Sequence, residues 1–148
     1  MEICKSIIEH VQDKNPKEDS GHTPLHAAAV YGNFEILKLI IENIEDKNPK
    51  DDYGHTPLHM AAERGHFEIC RLIIENIENK DPRDEMLKTP LHKAAQNGHL
   101  EICKLILEHT EDKNPKSMFG HTPFQLAEEN FEDLKDPKFA EIMKLFTI

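Results

Sequence analysis

One short phrase recurs four times along this chain at a fixed spacing of 33 residues. It reads GHTPLH, GHTPLH, LKTPLH and GHTPFQ, and its threonines are Thr23, Thr56, Thr89 and Thr122. A fixed period of this length over most of a 148-residue chain indicates a stacked repeat architecture rather than a globular enzyme fold. Because a repeat buries its apolar face mainly against its neighbours, we expect stability to come from the interfaces between units.

The remainder of the unit repeats as well. Residues 32–50 match residues 65–83 and 98–116, and residues 2–17 match the second half of that unit. The phrase Thr-Pro-Leu-His, followed by Ala-Ala and then Gly, resembles the ankyrin repeat, whose unit is a β-turn and two helices. The resemblance covers essentially the whole chain. It implies an all-α-dominated repeat solenoid, an ankyrin repeat stack of helix-turn-helix units with β-turn fingers.

We expect a single ankyrin repeat domain over residues 1–148. Its predicted parts are a half-repeat N-terminal cap, three full repeats and a C-terminal capping repeat, at residues 1–19, 20–52, 53–85, 86–118 and 119–148. The irregular last unit is typical of the end of a capped stack.

The second full unit illustrates how one repeat is expected to fold. Gly54 supplies the positive φ of the β-turn, and Thr56 then acts as the N-cap of a first helix at about 57–64. Pro57 occupies the first helical position, where a missing N–H costs nothing. Gly65 ends the helix as a left-handed cap.

The second helix of that unit is predicted to be amphipathic. Its apolar residues follow the spacing of a buried stripe, at Ile69, Leu72, Ile73 and Ile77. Three acid–base pairs at i,i+3 recur along the second helices, at Glu68/Arg71, Glu35/Lys38 and Glu101/Lys104. Each is expected to contribute only a few tenths of a kcal/mol.

The chain departs from the ankyrin pattern at three places that bear on its structure. Leu87 replaces the turn glycine of its unit, which predicts a turn of a different type. The Gly-Ala that usually follows the second helix is absent, so either the helix runs on or Asn43 and Asn76 take the left-handed cap. Phe131 replaces an inter-helix glycine, and about seven extra residues follow before the second-helix pattern resumes at Glu141.

Acidic residues dominate the charge of the chain. The formal net charge is −10, from 28 Asp and Glu against 18 Lys and Arg. Nucleic-acid binding requires clustered Lys and Arg to neutralise phosphates, so this balance argues against a nucleic-acid partner. We attribute the acidity to solubility, and a protein partner with a basic surface is the alternative.

The three cysteines occupy one column of the repeat, at Cys4, Cys70 and Cys103. Adjacent units lie roughly 8–10 Å apart, as packed helices do, whereas a disulfide requires Cα atoms within about 7 Å. We therefore expect small buried thiols rather than a redox pair or a metal site. Free thiols and the lack of a signal-like start indicate a cytoplasmic, reducing location. No apolar run approaches the roughly 20 residues that span a bilayer, so no membrane association is expected.

Ten histidines raise the question of a metal site or an active site. Five of them fall in two structural columns, at His26, His59, His92, His66 and His99. Members of one column lie roughly 8–10 Å apart, and zinc holds its nitrogen ligands at about 2.0–2.1 Å, so they cannot share an ion. In the ankyrin family the phrase histidine forms hydrogen bonds that link turn and helix, which the resemblance implies here.

No motif for catalysis stands out. The chain has no GxSxG, P-loop or GxGxxG sequence and no evident pairing of a nucleophile with a base. Its glutamate columns, such as Glu9, Glu42, Glu75 and Glu108, are typical of solvated helix faces. We therefore predict that the protein is not an enzyme. We expect no catalytic, metal-binding or cofactor-binding residues, no cofactor and no small-molecule substrate.

The informative surface positions are those at which the repeats differ. Ankyrin proteins bind partners through the β-turn fingers and the inner face of the first helices, so the resemblance implies a protein-binding surface here. Its candidate residues are Tyr31, Tyr53, His55, Glu63, Arg64, Met86, Lys88 and Phe119. One column of finger tips reads Ser20, Tyr53, Met86 and Phe119, and large apolar side chains at such tips resemble an interface hot spot. The alternative is that these side chains only pack against neighbouring fingers.

Rows of charge are predicted along the loops that lead from the second helices to the fingers. The acidic rows are Glu45, Glu78 and Glu111, with Asp13, Asp46 and Asp112. The basic rows are Lys14, Lys47, Lys80 and Lys113, with Lys17, Lys50, Arg83 and Lys116. Because facing rows of opposite sign partly cancel, we expect this edge to be a solvated face.

These observations together predict a non-catalytic, monomeric protein–protein interaction module that presents a concave ankyrin surface. Tyr53, Met86 and Phe119 are the expected anchors, and His55, Arg64 and Lys88 are expected to set specificity. One alternative is a small inhibitor of an enzyme, since the size resembles the four-to-five-repeat ankyrin inhibitors of cyclin-dependent kinases. Two others are a structural segment of a longer ankyrin array and an engineered consensus-like protein. The sequence does not name the partner.

Overall fold

The computed structural model describes residue 13 and residues 15–147 of the chain. Within this part lie eight helices in four consecutive pairs, and no strand. The pairs are α1 (Pro24–Tyr31) with α2 (Phe34–Ile41), α3 (Pro57–Arg64) with α4 (Phe67–Asn76), α5 (Pro90–Gln96) with α6 (Leu100–His109), and α7 (Pro123–Leu134) with α8 (Pro137–Lys144). Most of the half-repeat predicted at residues 1–19 lies outside the described residues, as do Cys4 and Lys14.

The helix pairs stack in chain order. The first helices (α1, α3, α5, α7) form one row in which each packs on the next, and the second helices (α2, α4, α6, α8) form another. The paired alanines of α1, α3 and α5 are buried, and the first helices pack against one another more extensively than the second helices do. Small side chains permit this close approach. The predicted helical repeat stack is confirmed.

The second helices supply most of the large side chains of the core. Three of the four predicted core positions of the second unit are buried, and the fourth, Leu72, is half-buried. Cys70 and Ile74 are buried as well, so the apolar stripe is wider than the spacing predicted. Cys103 takes the place of Cys70 in the next unit, and both are free, buried thiols as expected.

The first helices begin as predicted. In α3, Thr56 is the N-cap and Pro57 is the first helical residue. The Thr56 N–H donates to Nδ1 of His59 over 3.1 Å, and the His59 N–H donates to Oγ1 of Thr56 over 3.5 Å. This reciprocal capping satisfies donors that a helix start leaves open. It recurs at Thr23, Thr89 and Thr122.

The junction between the helices of a pair requires glycine for two reasons. Gly65 ends α3 in the left-handed conformation, with a φ of 81°, as predicted. A Cβ on Gly65 would also lie 2.6 Å from Cε1 of His99. His99 in turn donates from Nε2 to the carbonyl of Glu63 over 3.0 Å, and His66 makes the equivalent bond to Val30 over 3.1 Å. His66 therefore ties the start of α4 to α1, and His99 ties the start of α6 to α3, in each case the first helix of the preceding repeat.

The second helices end in neither of the two predicted ways. Helix α2 ends at Ile41 and α4 at Asn76, and neither Asn43 nor Asn76 has a positive φ. Their side-chain amides instead donate to the carbonyls of Leu39 and Leu72, both over 2.8 Å. Because this bond satisfies an acceptor that a helix end leaves open, no left-handed cap is needed.

The prediction of a different turn type at Leu87 is wrong. Leu87 has a φ of 58°, in the left-handed region that Gly54 and Gly120 occupy at 76° and 80°. Its N–H donates to the carbonyl of Asp84 over 2.9 Å, just as the Gly54 N–H donates to that of Asp51 over 3.0 Å. The hydrogen bonds of the finger therefore hold a residue with a Cβ in a turn that favours glycine.

The extra residues of the last unit are taken up partly by a longer first helix. Helix α7 continues past Phe131 to Leu134, and Lys135 takes the left-handed cap with a φ of 53°. Helix α8 then begins at Pro137, before the point at which the sequence pattern resumes at Glu141.

Two of the three predicted i,i+3 ion pairs form. Arg71 lies 2.6 Å from Glu68, and Lys104 lies 2.8 Å from Glu101. All four side chains are exposed, so these pairs contribute little to the free energy of unfolding.

Candidate protein-binding surface

The fingers that connect the helix pairs are tight hairpins. In the finger of residues 51–55, the Asp51 N–H donates to the carbonyl of His55 over 2.9 Å. The Oδ1 atom of the Asp51 carboxylate accepts from the N–H groups of Tyr53 and His55, at 2.9 and 2.8 Å. A carboxylate that bonds its own loop in this way stabilises the turn from inside. The predicted positive φ of Gly54 is confirmed.

Asp84 closes the next finger in the same way, accepting from the N–H groups of Met86 and Lys88 at 2.9 and 2.8 Å. Both Asp51 and Asp84 are buried. Burial raises the pKa of the Asp51 carboxyl, but the hydrogen bonds from its own finger outweigh that effect and hold the pKa below its usual range. Sequence reasoning missed both aspartates, although their spacing by one repeat was a usable signal.

Adjacent fingers are joined by backbone hydrogen bonds that put their tips in register. The three bonds run from the N–H of Asp52 to the carbonyl of Ser20, from Glu85 to Tyr53, and from Met118 to Met86, at 3.1, 3.0 and 2.7 Å. The acceptors are members of the predicted tip column. We name the eight positions Asp19–Ser20, Asp52–Tyr53, Glu85–Met86 and Met118–Phe119 the finger row.

The three predicted anchors are exposed on the finger row. Tyr53, Met86 and Phe119 are 63%, 52% and 67% exposed. More than half of each side chain faces solvent, so packing against neighbouring fingers alone does not account for them. Met118 and Leu87, which the predicted set of site residues omits, are exposed as well.

Two of the predicted specificity residues lie at the base of the fingers. The His55 ring lies between two carboxylates, with Nδ1 3.5 Å from Asp51 Oδ2 and Nε2 3.3 Å from Asp84 Oδ2. His22 approaches Asp51 in the same way, at 3.1 Å. These four side chains form a continuous series that ties three fingers together. His55 and Lys88 are both half-buried.

The remaining predicted residues lie on the first helices. Glu63 of α3 approaches Lys93 of α5, with 3.9 Å between Oε2 and Nζ. Arg64 and Tyr31 end α3 and α1, and both are exposed. In the part of the chain that the structure describes, no hydrogen bond, ion pair or ring contact joins Tyr31 or Arg64 to the finger row. The structure therefore brings the three tips together and leaves these two residues without a direct contact to them.

The phrase histidines link each first helix to the following finger. In each case the ring Nε2 donates to a backbone carbonyl in the following finger. The bonds run from His26 to the carbonyl of His55 (2.9 Å), from His59 to that of Lys88 (2.9 Å) and from His92 to that of His121 (3.0 Å). Burial lowers the pKa of His59 and His92 to about 4, and it lowers that of His26 as well. A buried neutral ring with both nitrogens bonded is a structural group. The hydrogen-bonding role implied by the resemblance is confirmed.

The predicted basic rows bind backbone carbonyls more than they face the acidic rows. Three cations each donate to the carbonyl one repeat ahead, Lys17 to Lys50, Lys50 to Arg83 and Arg83 to Lys116, at 3.2, 2.8 and 3.1 Å. Lys80 and Lys113 donate to carbonyls at the ends of α4 and α6. Among the described residues, one ion pair joins the two kinds of row, between Arg83 and Asp112 at 3.5 Å.

The two described cysteines are buried, and no metal-binding group is present among the described residues. Burial raises the pKa of both thiols, that of Cys103 to about 12, so neither Cys70 nor Cys103 ionises near neutral pH. Over residues 13 and 15–147, no three His, Cys, Asp or Glu side chains come together in a way that could hold a metal ion. The helices in that range are all too short or too polar to cross a bilayer.

Paired helices joined by registered hairpin fingers define a stacked helical repeat protein. The family model described as ankyrin repeats in three copies matches residues 1–84, 44–117 and 77–136. The chain therefore belongs to the ankyrin repeat family, as the resemblance predicted. Comparison with curated proteins found no match. Ankyrin repeats are generally protein–protein interaction modules.

Proposed function

We propose that this protein is a non-catalytic protein–protein interaction module that acts as a cytoplasmic monomer. The observation that carries the proposal is the finger row. Tyr53, Met86 and Phe119 are exposed on adjacent fingers whose backbones are hydrogen-bonded to one another. Exposed apolar side chains that lie together within polar surroundings are typical of protein-binding sites. The general role of ankyrin repeats supports the same conclusion.

The proposed mechanism is rigid presentation of this surface. The buried carboxylates of Asp51 and Asp84 and the backbone bonds between fingers hold the tips before any partner arrives. A surface that is already ordered loses little conformational entropy on binding. In this proposal the three tip residues are the anchors, and the polar residues around them set specificity. Those specificity residues are His55, Arg64 and Lys88, and Tyr31 and Glu63 complete the proposed surface.

Affinity capture from a lysate of the source organism tests this proposal. The baits are the wild-type chain and a triple variant with Tyr53→Ala, Met86→Ala and Phe119→Ala. We expect a protein that the wild type retains and the variant loses, because truncation removes the apolar contact area. Circular dichroism must show the same helix content for both baits.

Leu134→Ala provides a matched control. Leu134 is an exposed apolar residue at the end of α7, outside the finger row, so its truncation should leave capture unchanged. Equal capture by the wild type and the triple variant would contradict this surface. Loss with Leu134→Ala as well would indicate non-specific adsorption to apolar side chains.

The predicted domain organisation remains part of the proposal. We propose one domain with full repeats at 20–52, 53–85 and 86–118, an N-terminal cap at 1–19 and a C-terminal cap at 119–148. Each of the three full repeats then contains one helix pair, and the boundaries between repeats fall within the fingers.

A further inference from the structure

The finger row changes in character along its length. The residue before each tip is Asp19, Asp52, Glu85 and Met118 in turn, and all four are exposed. The tips themselves are Ser20, Tyr53, Met86 and Phe119. The first finger therefore presents an acidic and a polar side chain, whereas the fourth presents two apolar ones. One end of the row is acidic and the other is apolar.

Among the described residues, no cation is paired with the carboxylates of the acidic end. Within the described residues, no ion pair of 4.0 Å or less involves Asp19, Asp52 or Glu85. The cations that precede the first three fingers donate to backbone carbonyls instead, and these are Lys17, Lys50 and Arg83. With a net charge of −10 on the whole chain, this end of the row presents a negative potential to a partner.

The apolar end includes a residue that its backbone does not favour. Leu87 has a φ of 58°, and its side chain is exposed rather than buried. A leucine there has a steric cost and gains little from burial within the chain. Strained residues that persist tend to mark functional positions. With Leu87 included, the third and fourth fingers expose four apolar side chains, namely Met86, Leu87, Met118 and Phe119.

We propose that the partner is a protein segment with Lys or Arg residues at one end and a cluster of apolar side chains at the other. Its cations pair with the carboxylates of Asp19, Asp52 and Glu85, and its apolar cluster covers the third and fourth fingers. Because the backbone bonds order these chemistries along one line, the finger row also sets the direction of the segment. This inference rests on the proposed function and adds the chemistry and orientation of the partner.

Selection from a random library of 16-residue linear peptides displayed on phage, with the full chain as target, tests this inference. We expect enriched peptides to carry Lys or Arg in one part and apolar side chains in the other. A synthetic copy should bind about tenfold more weakly to a variant with Asp19→Asn, Asp52→Asn and Glu85→Gln, since several exposed charge pairs are lost. Truncation by Met118→Ala and Phe119→Ala should weaken binding by a similar factor or more.

A second variant, in which three other carboxylates are neutralised, distinguishes the loss of local charge pairs from a change in the net charge of the chain. Glu75, Glu108 and Glu111 are exposed and lie outside the finger row, so changing all three to Gln removes the same charge elsewhere. We expect this control to bind like the wild type at 150 mM salt. Leu87→Gly should weaken binding although it removes backbone strain.

The possible outcomes are distinct. Two results would overturn this inference: enriched peptides that lack a basic part, or a peptide affinity that does not change when the three finger-row carboxylates are neutralised. The proposed function would still stand in either case if the triple variant with Tyr53→Ala, Met86→Ala and Phe119→Ala no longer binds the peptides. An equal loss with the control variant would reduce the effect to net charge and also overturn it. If the peptides bind the triple alanine variant as tightly as the wild type, the proposed binding surface itself is wrong. Failure to enrich any peptide would overturn the inference, because a linear segment would then not suffice.

Discussion

Leu87 shows how neighbouring bonds determine the conformation of a single residue. Its φ of 58° matches the glycines at the same place in the other fingers. The Asp84 carboxylate bonds the N–H groups of Met86 and Lys88, and the Asp84 carbonyl bonds that of Leu87. These bonds span the turn, so the leucine cannot adopt another turn type without breaking them. The side-chain identity alone predicted the opposite.

Leu87→Gly is expected to raise the free energy of unfolding by about 1 kcal/mol. The substitution removes the steric cost of a left-handed leucine, and the greater freedom of glycine in the unfolded chain offsets part of that gain. Urea denaturation at pH 7.5 measures the change. The reverse change, Gly120→Leu, is a matched control, since a Cβ there meets nothing within 4 Å. It should lose a similar amount, and a less stable Leu87→Gly variant would argue against strain at this position.

The helices depend on side chains that act across repeat boundaries. His59 closes the start of α3 through Nδ1 and reaches the carbonyl of Lys88 through Nε2. In α7, Gln125 replaces this histidine, and the Thr122 N–H donates to its Oε1 over 3.0 Å. A side-chain amide can therefore form the cap without the imidazole. The helix cap and the link between repeats are therefore two separable contributions of His59 to the free energy of unfolding.

His59→Ala is expected to lower the free energy of unfolding by about 3 kcal/mol, because it leaves the Thr56 N–H and the Lys88 carbonyl without a partner and opens a cavity. His59→Gln should lose about half as much, since glutamine can restore the cap. Urea denaturation of both variants measures the difference. His121→Gln is the control, because that side chain is exposed. Equal losses for the two His59 variants would show that the cap contributes nothing.

At the scale of the whole molecule, buried neutral histidines recur in three successive units. Burial lowers the pKa of His26, His59 and His92 below the usual value of 6.5. Between that value and the lowered one, the unfolded chain binds more protons than the folded chain. The free energy of unfolding therefore falls as the pH decreases through this window. Asp51 affects stability in a separate pH window. Because its pKa is lower in the folded chain than in the unfolded chain, its contribution to the free energy of unfolding is present above about pH 4 and is lost as the pH falls below that value.

We expect the urea midpoint to fall steadily between pH 6.5 and pH 4.5. Each buried histidine contributes a slope of up to about 1.4 kcal/mol per pH unit. His59→Gln should reduce the total slope, because it removes one titrating ring. Midpoints measured at pH 7.5, 6.0 and 5.0 for both chains test this expectation. A constant midpoint over that range would mean that these rings are not buried neutral in solution.

Much of the fold could be predicted because the repeat places each residue type where its local physics applies. The Thr-Pro start of each first helix and the cap at Gly65 follow from backbone preferences within a few residues. The exposure of Tyr53, Met86 and Phe119 follows from their place at turn tips. Whether those tips bind a partner stays a prediction, since exposure is a property of the free chain and binding is a property of a pair.

The sequence by itself determined the repeat, the helix starts, the glycine caps and the column of apolar tips, because each depends on residues close together in the chain. Only the tertiary structure decided the conformation of Leu87, the buried roles of Asp51 and Asp84, and the links from His66 and His99. The bonds that hold Leu87, and those of Asp51 and Asp84 within their own fingers, span two to four positions. The links from His66 and His99 and the contact of His22 with Asp51 instead join residues 29 to 36 positions apart. Such contacts exist only once neighbouring units have stacked, because the stack brings a side chain of one repeat against the backbone of another.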